Sequence, residues 1–289
     1  MLEEQAGHAP ILRLEENSGL GVLSDEPHSY IKQYVQVLPS QLEHDSDEIS
    51  YFYLSKTRTA STIHRPTYTD LIVLRRFSST GEIIGELRLI GLLTSDAYES
   101  NPLTIPFIRR KVQGILHYAD LKSRFLNKSL LYIIKTFPRE ELFQASFNEL
   151  CRMTIGALTI YDRPKVRLFV RQDVMHHFFS VILYLPRERY STDIVKKIND
   201  YLRMKFKGTD IIHQPFFSES NLVRIYFVIQ PKSMDNIEYD ELEIETHIHD
   251  MAKSWSDDFL EQLNEVYDYD EAKTIFSHYA PAMGAGYRD

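Results

Sequence analysis

Three stretches of this sequence carry side chains whose types and spacing could do chemistry. In "EIETHIHDMA", Glu243, His247 and Asp250 recur at i, i+4 and i+7, so one helical face would present two carboxylates and an imidazole. That donor set suits a divalent metal such as zinc. The same spacing also builds an exposed face with a Glu–His pair. No second motif supplies the remaining ligands, so no metal site is assigned. In "TFPREELFQ", Arg139, Glu140 and Glu141 stand beside Phe137, Leu142 and Phe143. Two carboxylates and a guanidinium among aromatics are the material of acid–base catalysis. Helix initiation explains the same residues. Pro138 suits the first helical position, Glu140 and Glu141 fall where the helix dipole favours acids, and Phe137 and Leu142 have near-staple spacing. Catalysis needs a third group, and the sequence places none. His176–His177 reads as two solvated residues of a hairpin turn. Cys151 has no evident His partner and reads as a small buried hydrophobe.

The usual signatures of nucleotide and hydrolase chemistry are missing. There is no Walker lysine motif, no G-x-S-x-G and no H-E-x-x-H. "GLG" at 19–21 and "GAG" at 284–286 lack the strand–turn–helix setting of a dinucleotide fold. The catalytic, cofactor-binding and metal sets are therefore empty, and the chain by itself is expected to be catalytically silent.

The elements that would position these residues fall into blocks. Residues 1–27 are polar, with a short apolar anchor at "PILRL", and read as a loose lead-in. Block 28–104 is rich in strands. "SYFYLSK" is aromatic and β-favouring, and "YTDLIVLRRF" and "EIIGELRLIGLL" flank "SSTG", a hairpin whose Gly81 supplies a positive φ. Gly85 and Gly91 predict a bulge or a close backbone approach. Residues 105–163 turn helical: Ile108, Val112, Ile115 and Leu116 share one side, and Ser146 with Glu149 forms a capping box. Block 164–270 reads as strands 165–172 and 178–185, helix 192–206 stopped by Gly208, strands 210–217 and 222–230, and one long helix 239–267. That helix places Met251, Trp255 and Phe259 on one stripe. This ββαββα order is a circular permutation of the βαββαβ ferredoxin-like sandwich. Residues 271–289 read as a linker. The fold class is α+β.

The second face of that sheet should be polar if helices cover only the first. Instead it carries Phe169, Ile182, Tyr184, Arg224 and Tyr226, a mixture of aromatics and arginine with few carboxylates. That is an interface composition, and these five are the candidate interface residues for another module or a second copy. Arginines alternating with Phe169 also suggest an RNA-binding sheet. The RNP1 pattern is absent and the formal charge of −8 opposes phosphate binding, so no nucleic-acid partner is expected. No apolar run is long enough to span a bilayer, and "MLEEQAGHAPILRLEENSGLG" lacks the basic start of a signal peptide. The single cysteine precludes an intramolecular disulfide. A cytoplasmic protein without a membrane partner is expected.

Longer segments carry a more specific signal. "KTRTASTIHRPTYTDLIVLRRFSSTGEIIGELRLIGLLTS", "IPFIRRKVQGIL", "KTFPREELFQASFNEL", "DRPKVRLFVRQD", "LYLPRERYST", "LVRIYFVIQ" and "AKSWSDDFLEQL" resemble, in order and spacing, the non-catalytic N-terminal region of the large bacterial NAD-specific glutamate dehydrogenases. The resemblance covers about residues 45 to 289. It implies a PAS-like sheet module at 28–104, a helical connector at 105–163 and an ACT-like module at 164–270. It also implies an enzyme oxidising L-glutamate to 2-oxoglutarate and ammonium, with NAD and the catalytic lysines in a part outside this chain. The implied partners are that catalytic part, other subunits of a homo-oligomer and a small-molecule effector. One departure stands out. The family's first ACT-like hairpin turns through a glycine, as in "DPFGRF", where this chain has "DVMHHF". A free-standing ligand-sensing protein is the alternative reading.

Overall fold

The structure is a computed structural model, and it describes residues 2–3, 11–12, 15, 18–23, 51–61, 67–120, 127–218, 220–233, 237–253 and 255–279. They divide into two compact units: residues 1–155 with 171–179, and residues 156–170 with 180–289. Most of the lead-in falls outside the described residues. Leu2–Glu3 (β1) pairs antiparallel with Ile11–Leu12 (β2), the latter inside the expected apolar anchor.

The first unit is built on an antiparallel sheet of Phe52–Ala60 (β3), Tyr68–Phe77 (β4) and Ile83–Gly91 (β5), in that spatial order. The β4–β5 hairpin closes as its sequence predicts. Gly81 takes a φ of +88°, and its N–H donates to the Ser78 carbonyl at 3.1 Å. The register shifts between Arg76 and Phe77, opposite Gly85 and Ile83, so the bulge suggested by Gly85 is present. One sheet face buries Tyr53, Leu71 and Val73 against Ile90, Val174 and Met175. Helices follow: Ser95–Glu99 (α1), Pro106–Asp120 (α2), Asn127–Thr136 (α3), Arg139–Gln144 (α4) and Phe147–Thr159 (α5). Of the predicted stripe, Ile108, Val112 and Ile115 are fully buried and Leu116 is half-buried. The capping box also forms: the Ser146 N–H donates to Glu149 at 2.7 Å, and the Glu149 N–H to Ser146 Oγ at 3.3 Å.

The second unit contains most of Arg167–Gln172 (β6) and Phe179–Pro186 (β7), then Thr192–Lys205 (α6), Gly208–Phe217 (β8), Leu222–Pro231 (β9) and Glu241–Met251 (α7). The sheet order is β6-β7-β9-β8. β9 thus splits the β7–α6–β8 unit, the ferredoxin-like arrangement. Moving β6 alone to the end of the chain order restores βαββαβ. The core facing the helices includes Val195, Ile198, Leu202, Ile244 and Ile248. β7 and β9 are buried at every position, so both of their faces are covered.

Two expectations fail here for local reasons. α6 ends at Lys205 with Phe206 as its C-cap, and the left-handed residue after the cap is Lys207, with a φ of +50°, while Gly208 already begins β8. The long helix expected at 239–267 is two helices, α7 and Trp255–Val266 (α8). The Ala252 N–H reaches back to the Ile248 carbonyl at 3.0 Å and to His249 at 3.2 Å, tightening the last turn, and Lys253 Nζ bridges Asp250 at 3.5 Å and Glu261 at 2.8 Å. No glycine or proline marks the break, and the apolar period runs on through it, so periodicity cannot see it. The Trp255 side chain lies outside the described residues. Tyr269–Tyr279 (α9) occupies the start of the segment read as a linker, and residues 280–289 lie outside the described residues.

The outer edge of β6 is capped in an unusual way. The Val170 N–H donates to Glu241 at 2.9 Å and the Leu168 N–H to Glu245 at 2.8 Å. Four residues of helix rise about 6 Å and two residues of strand about 6.7 Å. Carboxylates at i and i+4 on α7 therefore match alternate N–H groups on the strand.

Candidate functional site

A cluster of buried polar side chains lies in the first unit, around the six-residue helix α4 from "TFPREELFQ". Pro138 is its N-cap rather than its first residue. So short a helix has no stability of its own, and its neighbours must hold it. Lys111 on α2 closes its C-terminal end, donating to the carbonyls of Leu142 (3.4 Å), Phe143 (3.1 Å) and Ala145 (2.6 Å). Burial lowers the Lys111 pKa to about 8, against the pull of Glu149 and Glu141. Arg139 donates to the carbonyls of Tyr98 and Ser100 at 2.7 and 2.8 Å, tying the helix start to the C-terminal end of α1. Glu141, fully buried, receives a two-pronged bond from Arg171: Nε to Oε2 at 2.7 Å and Nη2 to Oε1 at 2.8 Å. The fork of a guanidinium matches a carboxylate in just this way.

A second layer joins this helix to β3. Lys56 is 2% exposed, and its Nζ bonds Asp70 on β4 at 3.0 Å and stands 3.9 Å from Glu140. Glu140 also accepts from the Tyr98 hydroxyl at 3.1 Å, and Asp70 from the Leu93 N–H at 2.9 Å. The neighbouring Ser55 donates to Asp173 at 2.8 Å. The same Asp173 oxygen accepts the Met175 and His177 N–H groups at 3.1 and 3.3 Å, while Oδ1 is buried with no donor. Burial therefore dominates and pushes the Asp173 carboxyl up to about 6, despite Arg171. His177 Nδ1 meets the Lys56 carbonyl at 3.0 Å, so that nitrogen carries the proton. Burial lowers the His177 pKa to about 4.

His177 is thus not a solvated turn residue. The turn instead carries His176 with a φ of +55°, at the place where "DPFGRF" has its glycine. The turn closes without a glycine because His176 adopts the left-handed conformation.

Chemically, this cluster is a latch. Ser55 donates to Asp173, Lys56 is held by acids, and all three side chains are buried, so these groups bind one another rather than a substrate. The ionic partners of Glu141 and Lys56 were not legible in the sequence, since Arg171 stands 30 residues from Glu141. The only local hint was the crowding of charge and aromatics in one short stretch.

Of the other sequence candidates, Glu243, His247 and Asp250 line one open hollow on α7 of the second unit. Glu243 bonds Lys205 at 2.8 Å, His247 stacks on Tyr201 with ring centres 4.3 Å apart, and Asp250 takes up His249 and Lys253. Among the described residues no three His, Cys, Asp or Glu side chains gather as metal ligands. Cys151 is half-buried. Phe169, Ile182, Tyr184, Arg224 and Tyr226 are all buried within the chain. Phe169 packs on Gly156 of α5, meets Tyr184 edge-on with ring centres 6.4 Å apart, and Arg224 lies 4.5 Å over the Phe216 ring. Burial raises the Tyr184 pKa.

Comparison with known proteins finds two family models along the chain. Residues 105–163 match the family model described as glutamate dehydrogenase, helical motif 1, and residues 167–256 match glutamate dehydrogenase, ACT2 domain. The chain is 31% identical over 275 residues to an NAD-specific glutamate dehydrogenase of Halomonas elongata, covering 95% of this chain and 17% of that protein. It is 30% identical to the Pseudomonas aeruginosa protein of that name (81% of this chain, 15% of that protein) and 26% identical to the Mycobacterium tuberculosis one (84% and 16%). The chain therefore spans about a sixth of the length of these relatives. No helix of the described residues is long and apolar enough to cross a membrane. With two successive domains of one enzyme family and relatives along nearly its whole length, the chain belongs to the glutamate dehydrogenase family, of which it represents a segment bearing helical motif 1 and the ACT2 domain.

Proposed function

We propose that this segment is the architectural and regulatory N-terminal region of a large, cytoplasmic NAD-dependent glutamate dehydrogenase. The whole enzyme would convert L-glutamate, NAD and water to 2-oxoglutarate, ammonium and NADH, with NAD bound outside this segment. The β3–β5 sheet is the PAS-like module of this reading, 105–163 the connector and 164–270 the ACT-like module. The observation that carries it is the latch: its charged side chains serve as braces for α4, which lies inside helical motif 1. Such braces suit a part that holds modules in place between the catalytic part and other subunits, with an effector acting through them.

Two measurements test this. The purified chain given L-glutamate and NAD should form no NADH above a blank. In the longer enzyme that the reading requires, Glu141→Gln should lower heat resistance or assembled mass and leave the KM for NAD unchanged. NADH formation by the chain alone, or a changed KM for NAD with mass and stability intact, would place this segment in the active site and end the reading.

A further inference from the structure

The two sheets treat their edges differently. β6 is closed by the carboxylates of Glu241 and Glu245. β5 is the outer strand of its sheet, with β4 on one side and no strand on the other among the described residues. It has few of the usual protections: no proline and no lysine, and its bulge lies at one end, leaving Gly85 to Gly91 in regular register with β4. Three of its side chains, Ile84, Leu87 and Leu89, are 41%, 52% and 48% exposed, and Leu74 on β4, opposite Leu87, is 37% exposed. Among the described residues, an unpaired edge and an apolar patch coincide on one strand.

The strand's own sequence suits a second copy of itself. Two identical strands related by a two-fold axis pair antiparallel, with the same sheet faces on the same side, so the register must be centred on a residue. Centring on Glu86 would set Glu86 against Glu86, and centring on Arg88 would set Arg88 against Arg88. Both put like charges directly opposite, which is destabilising. Centring on Leu87 sets Glu86 of each copy against Arg88 of the other. It also sets Leu87 against itself, and Leu89 against Gly85, which has no side chain to obstruct it. Within one copy Arg88 already bonds Glu86, at 3.0 Å from Nε and 2.8 Å from Nη2. Pairing in this register would make a ring of alternating charges beside a merged leucine face.

We propose that β5 pairs with β5 of a second copy, in register about Leu87, joining the two three-stranded sheets into one of six strands. This deepens the architectural reading above by naming the surface and the partner. Its test is independent of that reading, because it reads the mass of this chain and no activity.

The register makes a specific prediction by mixing. Leu87 is half-exposed, so Leu87→Lys and Leu87→Glu should each fold, which circular dichroism would check. Sedimentation of the wild-type chain should show a concentration-dependent dimer. Each variant alone places like charges across the axis and should weaken the dimer about a hundredfold or more. An equimolar mixture of the two should restore a heterodimer. A wild-type chain that stays monomeric, variants that dimerise undiminished, or a mixture that stays monomeric would each overturn the proposal. Pairing of β5 with another module of the longer enzyme would show as the first of these outcomes.

Discussion

Glu141 and Arg171 are both charged, both almost fully buried, and each is the other's main partner. Removing one charge should therefore hurt more than removing both. Glu141→Gln leaves a buried guanidinium without its counter-charge and should cost about 3–5 kcal/mol in denaturant unfolding. Glu141→Leu combined with Arg171→Met should recover most of that loss. Equal losses in the single and double variants would mean that the pair is hydrated. Asp173 and His177 make a second prediction, because their pKa values move in opposite directions. Asp173 rises to about 6, so its stabilising contribution is full below the unfolded value near 3.8 and is lost as pH rises through 6. His177 falls to about 4, so its contribution is present above the unfolded value near 6.5 and is lost as pH falls through 4. Between about 4 and 6 the two slopes oppose each other, and the native protein should show little net dependence from this site. Asp173→Asn should uncover the histidine slope, with stability falling as the solution is acidified. His177→Gln should uncover the opposite slope. Each is worth roughly 2–3 kcal/mol across the window, and Tm against pH would read both.

At the scale of elements, the absence of a side chain at Gly156 lets the Phe169 ring lie close against the helix backbone there. A Cβ built on Gly156 would stand 2.5 Å from the Phe169 ring. Gly156→Ala should cost about 1–3 kcal/mol through overpacking, and Phe169→Leu in the same chain should relieve part of it. A neutral Gly156→Ala, measured by thermal unfolding, would show that the helix can move away. The elements themselves were largely legible in the sequence. The SSTG hairpin, the Ser146–Glu149 box and the ββαββα order rest on residues a few positions apart, where turn and capping chemistry act. The tie between Ser55 and Asp173 spans 118 residues and the bracing of α4 by Lys111 over 30. No local period records such pairs. Glu140 and Glu141 are where a helix start needs acids, and the same positions also serve the fold's long-range ties.

For the whole molecule, the sequence identified the family, since several long segments matched in order, while the candidate site stayed hidden. The aromatic and arginine face read as a surface for another module or a second copy is buried within the chain, with Phe169 lying against Gly156 of α5. Composition could say that the face is unsuited to water. It could not say which element lies on it, because burial against one's own chain and against a partner select the same residues. The break at Ala252 was hidden in the same way, behind an unbroken stripe.

The capped edge of β6 has a consequence in time. Leu168 precedes its acceptor Glu245 by 77 residues. At roughly 5–20 residues per second of synthesis, the strand waits about 4–15 s on the ribosome before that carboxylate exists. During that interval its N–H groups are open to any extended chain nearby, including another nascent copy on the same message. Truncated products that stop before Glu241 never acquire the cap. They should accumulate as insoluble material, while products ending after Met251 should stay in solution, and a truncation series scored by centrifugation would show the step between them.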